Sequence, residues 1–459
     1  MKHVSPPDSA EGHVLVIGAG MTGLLFGKVL SEVAERVSIL DHDELPTGPE
    51  FRRGAGQMRH THMMLDRGRE IYEQLFPGAV EECCGPGTGP FDASAEFRWH
   101  QFGMWKPTPD VDVDMWPTDR TRFEWAVRRR LQEQGNVEFV PGRKAVDFVF
   151  DEEETAVRGA VFETDNGTNE TWPAQLVVDA MGRGTRTPGL LEDHGFGPLP
   201  DQAYEAGVSY TTGEVHEPSD YGHNWRLLYI MPGSFDSPRL GVIYRLNEDE
   251  YRVTLGGWSG VRAPTDESGF RDFARDLAHP ALHEILEHTE FSSDLRRFRV
   301  PRMQFRRYDE MDDRPDGLLV AGDAFCNFNP VFGQGMTVAA REAIALRDLI
   351  GRDRESAAVV APSTLDAYYD RAASLISESW VMTAALDCQF PGVEVEERLP
   401  RLLAPFVENL HRSSCRSSAV HETVTRLIHM QGEPTAVLRP SVLAGLSGTA
   451  LRRMVGFDG

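Results

Sequence analysis

Residues 14–23 read VLVIGAGMTG, four apolar residues running into Gly18, Gly20 and Gly23 at the spacing G-x-G-x-x-G. Each bare position has a mechanical use in holding a dinucleotide. Gly18 permits a tight turn, Gly20 lets main chain approach a pyrophosphate, and Gly23 lets the following helix pack on the preceding strand. The start of that helix offers unspent N–H groups and a partial positive charge to the phosphates. An acid about 20 residues on should take the ribose hydroxyls, and Asp41 stands 23 positions after Gly18, at the end of the next apolar run. Nicotinamide and flavin dinucleotides both remain open at this point.

The elements that must position these residues follow from periodicity. Residues 13–18 read as a buried strand, 21–34 as a helix on Leu24, Leu25, Val29 and Leu30, and 37–40 as a second strand, a βαβ start. A helix is expected near 65–76 and another over 119–134, with Phe123, Ala126, Val127 and Leu131 on one face and Gly135 as its stop. Three short strands, 145–150, 156–163 and 175–179, return the chain to its first sheet. From about 203 to 300 the pattern changes to longer alternating strands rich in aromatics, with one helix near 267–289. Residues 317–325 read as a buried strand opening a helix, and the last 120 residues as mostly helical. The expected fold is α/β. A discontinuous Rossmann-like domain is assembled from 13–95, 118–190 and 300–350, a sheet-rich substrate domain from 96–117 and 191–299, and 351–459 form a helical C-terminal region.

Composition narrows the partners. The chain has 459 residues, 41% apolar and 26% charged, with 71 acidic against 47 basic side chains and a net charge of −24. So acidic a surface repels nucleic acid and anionic membranes. No apolar run approaches the roughly 18 residues of a membrane helix, and the polar start MKHVSPPDSAEGH reads as a short frayed tail rather than a secretory signal. Cysteines 83, 84, 326, 388 and 415 show no metal-ligand spacing and read as reduced thiols of a cytoplasmic protein. The sequons at Asn166 and Asn169 are then coincidental.

A second motif decides the dinucleotide. Residues 320–337, VAGDAFCNFNPVFGQGMT, place Gly322-Asp323 after a strand, then Pro330, Gly333, Gly335 and Met336 ahead of a helix. Here the sequence resembles the class A flavoprotein monooxygenases, the para-hydroxybenzoate hydroxylase superfamily. The resemblance implies FAD as cofactor, with Asp323 toward its ribityl and pyrophosphate region and the helix after Pro330 aiming its amides at the flavin pyrimidine edge. A helix dipole there favours negative charge on the ring. RRGAGQMRHTHMML resembles a segment that lies over the cofactor in one bacterial branch of that superfamily, which implies Arg53 and Gln57 as FAD contacts. Arg120 matches a family arginine that approaches the phosphates, a role suited to a permanently charged, bidentate donor. No second G-x-G-x-x-G in a βαβ setting provides a separate nicotinamide domain.

Other tempting sites are set aside. DVDVD at 110–114 imitates the opening of a calcium loop, but Met115 and Thr121 occupy the positions that need Gly and an acid. His60 and His62 lack a third ligand, so contact with cofactor or substrate outranks metal, and no metal is expected. Arg128–Arg130 read as the polar side of a helix, and no nucleophile elbow or Ser/His/Asp set is found.

The branch resembled contains monooxygenases and epoxidases that tailor polyketides, and FAD-dependent enzymes that form a decalin by intramolecular [4+2] cyclisation. Both imply an apolar small-molecule substrate in an aromatic-lined pocket, with Tyr210, Trp225, Tyr229, Phe235, Tyr244 and Tyr308 as lining candidates. Many family hydroxylases carry an Asp-Gly motif tied to FAD and NADPH handling. Aligned to VVDAMGRGT, it puts Gly182 on the glycine and Met181 on the acid, with Asp179 a structural substitute. A thioether cannot anchor a polar partner as a carboxylate does. The expectation is therefore a redox-neutral [4+2] cyclase of a monomer or homodimer, FAD serving structurally. The alternative is an NAD(P)H-dependent monooxygenase or epoxidase of a similar substrate.

Overall fold

The computed structural model describes residues 5–85, 88–216, 224–247, 249–352 and 359–454, of which 449–454 by backbone alone. The frayed tail expected at the N-terminus and the helical region expected over 351–459 thus lie partly outside the described residues. Strand His13–Ile17, helix Met21–Leu30 and strand Arg36–Leu40 form the expected βαβ unit. They belong to a five-stranded parallel sheet in the order Leu318–Val320, Leu176–Asp179, His13–Ile17, Arg36–Leu40, Val137–Val140. Parallel strands covered on both faces read as continuous apolar runs, and every residue of His13–Ile17 and Leu176–Asp179 is buried. Helices Met21–Leu30, Arg120–Gln132 and Gly335–Ile350 pack around this sheet.

The second body is a nine-stranded sheet. Its long strands Asp201–His216 and Arg296–Arg306 pair antiparallel, Glu250–Gly257, Arg239–Arg245 and Leu227–Ile230 continue the order, and Phe97–Gln101 joins Leu227–Ile230 in parallel. Leu228, Ile230, Ile243, Val253 and Leu255 point to a separate core under the helices Glu267–Arg275 and Ala281–Glu287. Alternate residues Leu227, Tyr229, Leu240 and Val242 face the rest of the molecule, as the two-residue period of a strand requires. Helices Pro362–Asp387, Arg398–Ser414, Ser418–Ile428 and Pro440–Met454 complete the described residues. Among the described residues no helix is long and apolar enough to cross a membrane.

Several expectations shift. The helix expected over 21–34 ends at Leu30. The helix expected near 267–289 is two, broken where Pro280 stands at the N-cap of the second, because proline has no N–H for an interior helical bond. Gly322–Ala324 is a single 3-10 turn, not the start of a helix; the helix begins at Gly335. Position 300, expected as a domain boundary, falls inside strand Arg296–Arg306.

Candidate functional site

A cavity of about 1000 Å³ lies where the C-terminal ends of the parallel strands meet the large sheet and the C-terminal helices. Gly18, Gly20, Asp41, Gln57, Arg120, Asp323, Pro330, Gly333, Gly335 and Met336 all line it, as do Tyr210 and Tyr229. Two motifs about 300 residues apart in sequence thus converge on one space.

One wall is built from bare backbone and charge. Gly18 has φ +108°, and a Cβ there would stand 2.5 Å from the Ala180 carbonyl oxygen, so any side chain is excluded twice over. Gly20 is different: a Cβ would meet only Arg52 Nη2 at 3.7 Å, leaving this backbone open to the cavity. The helices Met21–Leu30 and Gly335–Ile350 both start here with no side-chain cap and no acid in the first turn. Their leading N–H groups are therefore left for a ligand. Asp41 Oδ2 accepts from Ala19 N at 2.7 Å and from Arg52 Nη1 at 3.0 Å, which fixes the carboxylate at the strand end. Asp41, His42 and Asp43 also make a grouping that a cation could occupy, yet Arg52 already pairs with both carboxylates, at 3.0 and 3.6 Å.

Glu124, 0% exposed, organises the cations of this wall. It accepts from Arg52 at 2.8 Å, pairs with Arg120 at 3.2 Å and lies 3.8 Å from Arg128. Burial works against the charge on Arg52, but Glu124, Asp41 and Asp43 outweigh it and raise its pKa. Arg120 donates Nη1 to Met336 Sδ at 2.9 Å, while its buried Nε has no partner, nor does Gln334 Oε1. Burial pushes the Asp323 carboxyl up, with Arg183, Arg120 and Arg306 pulling the other way. Open glycine backbone, two uncapped helix starts, a carboxylate fixed at the second strand end and unspent buried polar atoms fit a flavin dinucleotide.

The family comparison decides the cofactor. A family model described as FAD binding domain matches residues 11–381. The chain belongs to this family, that of the class A flavoprotein monooxygenases. It is a flavin-dependent enzyme and its cofactor is FAD. This flavoprotein is 29% identical over 407 residues to Protein Rv3254 of Mycobacterium tuberculosis, covering 86% of this chain and 84% of the relative. It is 23% identical to squalene epoxidase 4 of Arabidopsis thaliana, covering 73% of this chain and 61% of that protein. Among solved structures it shares the fold of the Diels-Alderase PyrE3 of pyrroindomycin biosynthesis, with a TM-score of 0.59, 14% identity, and coverage of 91% and 80%.

The flavoprotein's other wall is apolar. Phe97, Trp99, Leu227, Tyr229, Met231, Leu240 and Val242 come from the large sheet, and Met382, Leu386, Phe406 and Leu410 from the C-terminal helices. Burial pushes the phenols of Tyr210 and Tyr229 up, so both stay neutral donors. His62 lines the cavity and sits 2.9 Å from the His60 carbonyl through Nδ1. A carbonyl only accepts, so Nδ1 carries the proton and Nε2 is left an acceptor. Burial and Arg120 lower its pKa to about 3, which keeps it neutral.

Several expected contacts fall elsewhere. Arg53 is exposed and off the lining, and its neighbour Arg52 takes the inward position. Trp225 packs with the separate core on the far face of the sheet. Phe235 packs on Phe102 and Phe390. Tyr244 shares the face of Leu240 and Val242 but is fully buried beyond the cavity. Tyr308 sits in the core against Phe325 and Tyr369. Gly23 is also off the lining, where its bareness serves packing: a Cβ would stand 1.8 Å from Gly18 O. His60 lies behind the lining, bonded to Thr212 Oγ1 at 2.8 Å. Arg128, expected on a solvated face, is buried and donates to the Pro46 carbonyl.

Asp179 is buried and accepts from Met181 N at 2.9 Å and from the hydroxyls of Thr185 and Thr187. It thereby holds the turn that presents Met181, Gly182 and Arg183 to the cavity. Sequence reasoning missed Arg52 and Glu124. The spacing of Arg120 and Glu124, one helical turn apart, was the available signal.

Proposed function

We propose that this flavoenzyme folds an apolar, polyketide-type substrate against the FAD site and performs a redox-neutral intramolecular [4+2] cyclisation that forms a decalin. The observation that carries the reading is the wall running from Phe97 to Val242, aromatic and aliphatic, in one cavity with the dinucleotide motifs. In this reading Gly18, Gly20 and the start of the Met21–Leu30 helix hold the pyrophosphate, and Asp41 takes the ribose. Arg52, Arg120 and Asp323 hold the phosphate and ribityl stretch, and the main chain of Gly333–Met336 meets the ring. When bound, FAD supplies a flat conjugated surface and a capacity for two-electron chemistry.

Cyclisation asks little acid–base chemistry of the chain. A flexible polyene must be folded so that diene and dienophile meet, and such preorganisation contributes up to ~7–11 kcal/mol in favourable intramolecular cases. Tyr210 and Tyr229 stay protonated and can donate to a conjugated carbonyl, which polarises it. His62 stays neutral and offers only an acceptor. Met181 stands where an acid tied to NADPH handling is found in many relatives, which weakens the case for nicotinamide turnover.

The second reading, NAD(P)H-dependent epoxidation or hydroxylation of a similar substrate, is favoured by the likeness to a squalene epoxidase. Paired incubations separate the two. Holoenzyme is given a linear polyene carrying a diene and a dienophile, in one arm without nicotinamide and in the other with NAD(P)H. Unchanged product mass with loss of diene absorbance is the expected result. A gain of one oxygen that requires NAD(P)H overturns it in favour of the second reading.

A further inference from the structure

The apolar wall has one corner with a charge behind it. Trp99 and His411 both line the cavity. Behind Trp99, Lys106 is 3% exposed, with Nζ 3.5 Å from the centroid of the indole and donating to Ser414 Oγ at 2.9 Å. Among the described residues, the titratable neighbour that favours its charge is the Cys415 thiol, itself pushed up by burial. His411 and His421 flank the same indole, with ring centroids 6.3 and 6.4 Å from it. Burial and the nearby ammonium lower both imidazoles to about 3, so they are neutral. Trp99 Nε1 and the Nδ1 atoms of both histidines have no hydrogen-bond partner.

Such a site is costly unless something compensates it. A buried ammonium without an anion is strongly disfavoured, and contact with an aromatic face recovers only part of the loss. A methionine would fill the same space behind Trp99 without that cost. The arrangement makes sense when the missing negative charge arrives from the cavity side.

We infer that the corner formed by Trp99 and His411, backed by Lys106, receives the acidic end of the substrate, a carboxylate, while the apolar wall takes its chain. This rests on the apolar-substrate reading of the cavity and adds the class of its polar terminus. Lys106 acts through Trp99 and His411 as a specificity determinant, not as a catalytic residue.

Equilibrium binding of dodecanoate and dodecanol to the holoenzyme tests it. At pH 7 a unit charge acting across a partly buried corner should favour the carboxylate by about tenfold. In Lys106→Met the alcohol should bind as before and the preference should vanish. The unsubstituted protein gives an independent readout should that variant not fold. Its preference should fade as the pH rises through about 8, where burial places the Lys106 ammonium. His411 and His421 are already neutral there and Cys415 is raised, and Asp92 acts on His421. Equal binding of the two probes, or a preference that survives in Lys106→Met, overturns the inference. If dodecanol also fails to bind, the apolar-substrate reading itself falls and takes this inference with it.

Discussion

The two walls of the cavity are made in opposite ways. The cofactor wall is backbone and charge: glycines whose positions are dictated by main-chain approach, uncapped helix starts, and carboxylates that fix arginines. The apolar wall is side chains from strands and helices far apart in sequence, brought together by sheet register and helix docking. Trp99 and Tyr229, 130 positions apart, lie side by side because Phe97–Gln101 pairs in parallel with Leu227–Ile230. A wall of the first kind tolerates almost no change at its bare positions. One of the second kind can be repacked while volume is kept.

The largest effect expected is at Gly18. A valine there needs a left-handed backbone that β-branched residues avoid, and its Cβ would sit 2.5 Å from the Ala180 carbonyl oxygen. Gly18→Val should yield colourless protein, checked by flavin absorbance per polypeptide. Full FAD content would break the contrast between the walls at its strongest point.

The paired arginines sharpen it next. Arg52 bonds the wholly buried Glu124 and pairs with the buried Asp41 and Asp43, so Arg52→Met takes a cation from three carboxylates at once, leaving Glu124 to Arg120 and Arg128, and should cost about 3–5 kcal/mol. Arg53 is exposed, and Arg53→Met should stay within about 0.5 kcal/mol. Urea unfolding of the two variants decides, and equal effects would mean that the inward arginine has been misassigned.

That pair also marks where the sequence is legible and where it is not. Gly18, Gly20, Asp41, Asp323 and Gly335 are readable because each is tied by a fixed offset to a strand end or helix start. Arg52 and Arg53 sit in a loop without periodicity, so adjacent identical residues cannot be told apart. On the apolar wall, alternation gives the face but not the place along the strand. Tyr229 and Tyr244 both face inward, yet only Tyr229 lines the cavity, and Tyr244 is fully buried beside Arg252 and His62. Phe97, Trp99, Leu386 and Phe406 were not anticipated, since their place depends on pairings and dockings that span over a hundred residues. Lys106 gave no signal either, because a lysine near an aromatic is unremarkable until it is buried.

Asp387 joins the two walls and offers the smallest of the expected effects. It is 0% exposed at the end of helix Pro362–Asp387 and accepts from Tyr204 Oη at 2.9 Å, Trp258 Nε1 at 2.8 Å and Asn329 Nδ2 at 3.0 Å. Asn329 in turn accepts from Val331 N at 3.0 Å, setting the turn before Gly333. Burial raises the Asp387 pKa from 3.8 to about 6 against the pull of those three donors. A carboxyl raised on folding binds its proton more tightly in the folded state. Its contribution to stability is therefore greatest below about pH 4, is lost as the pH rises toward 6, and is flat above. Stability measured by urea at pH 4 and pH 7 should fall by about 2–3 kcal/mol more in the unsubstituted protein than in Asp387→Asn. If the donors outweigh burial, the sign reverses and the unsubstituted protein gains stability over the same interval, which would place an ionised carboxylate at the joint between the Gly333 turn and the apolar wall.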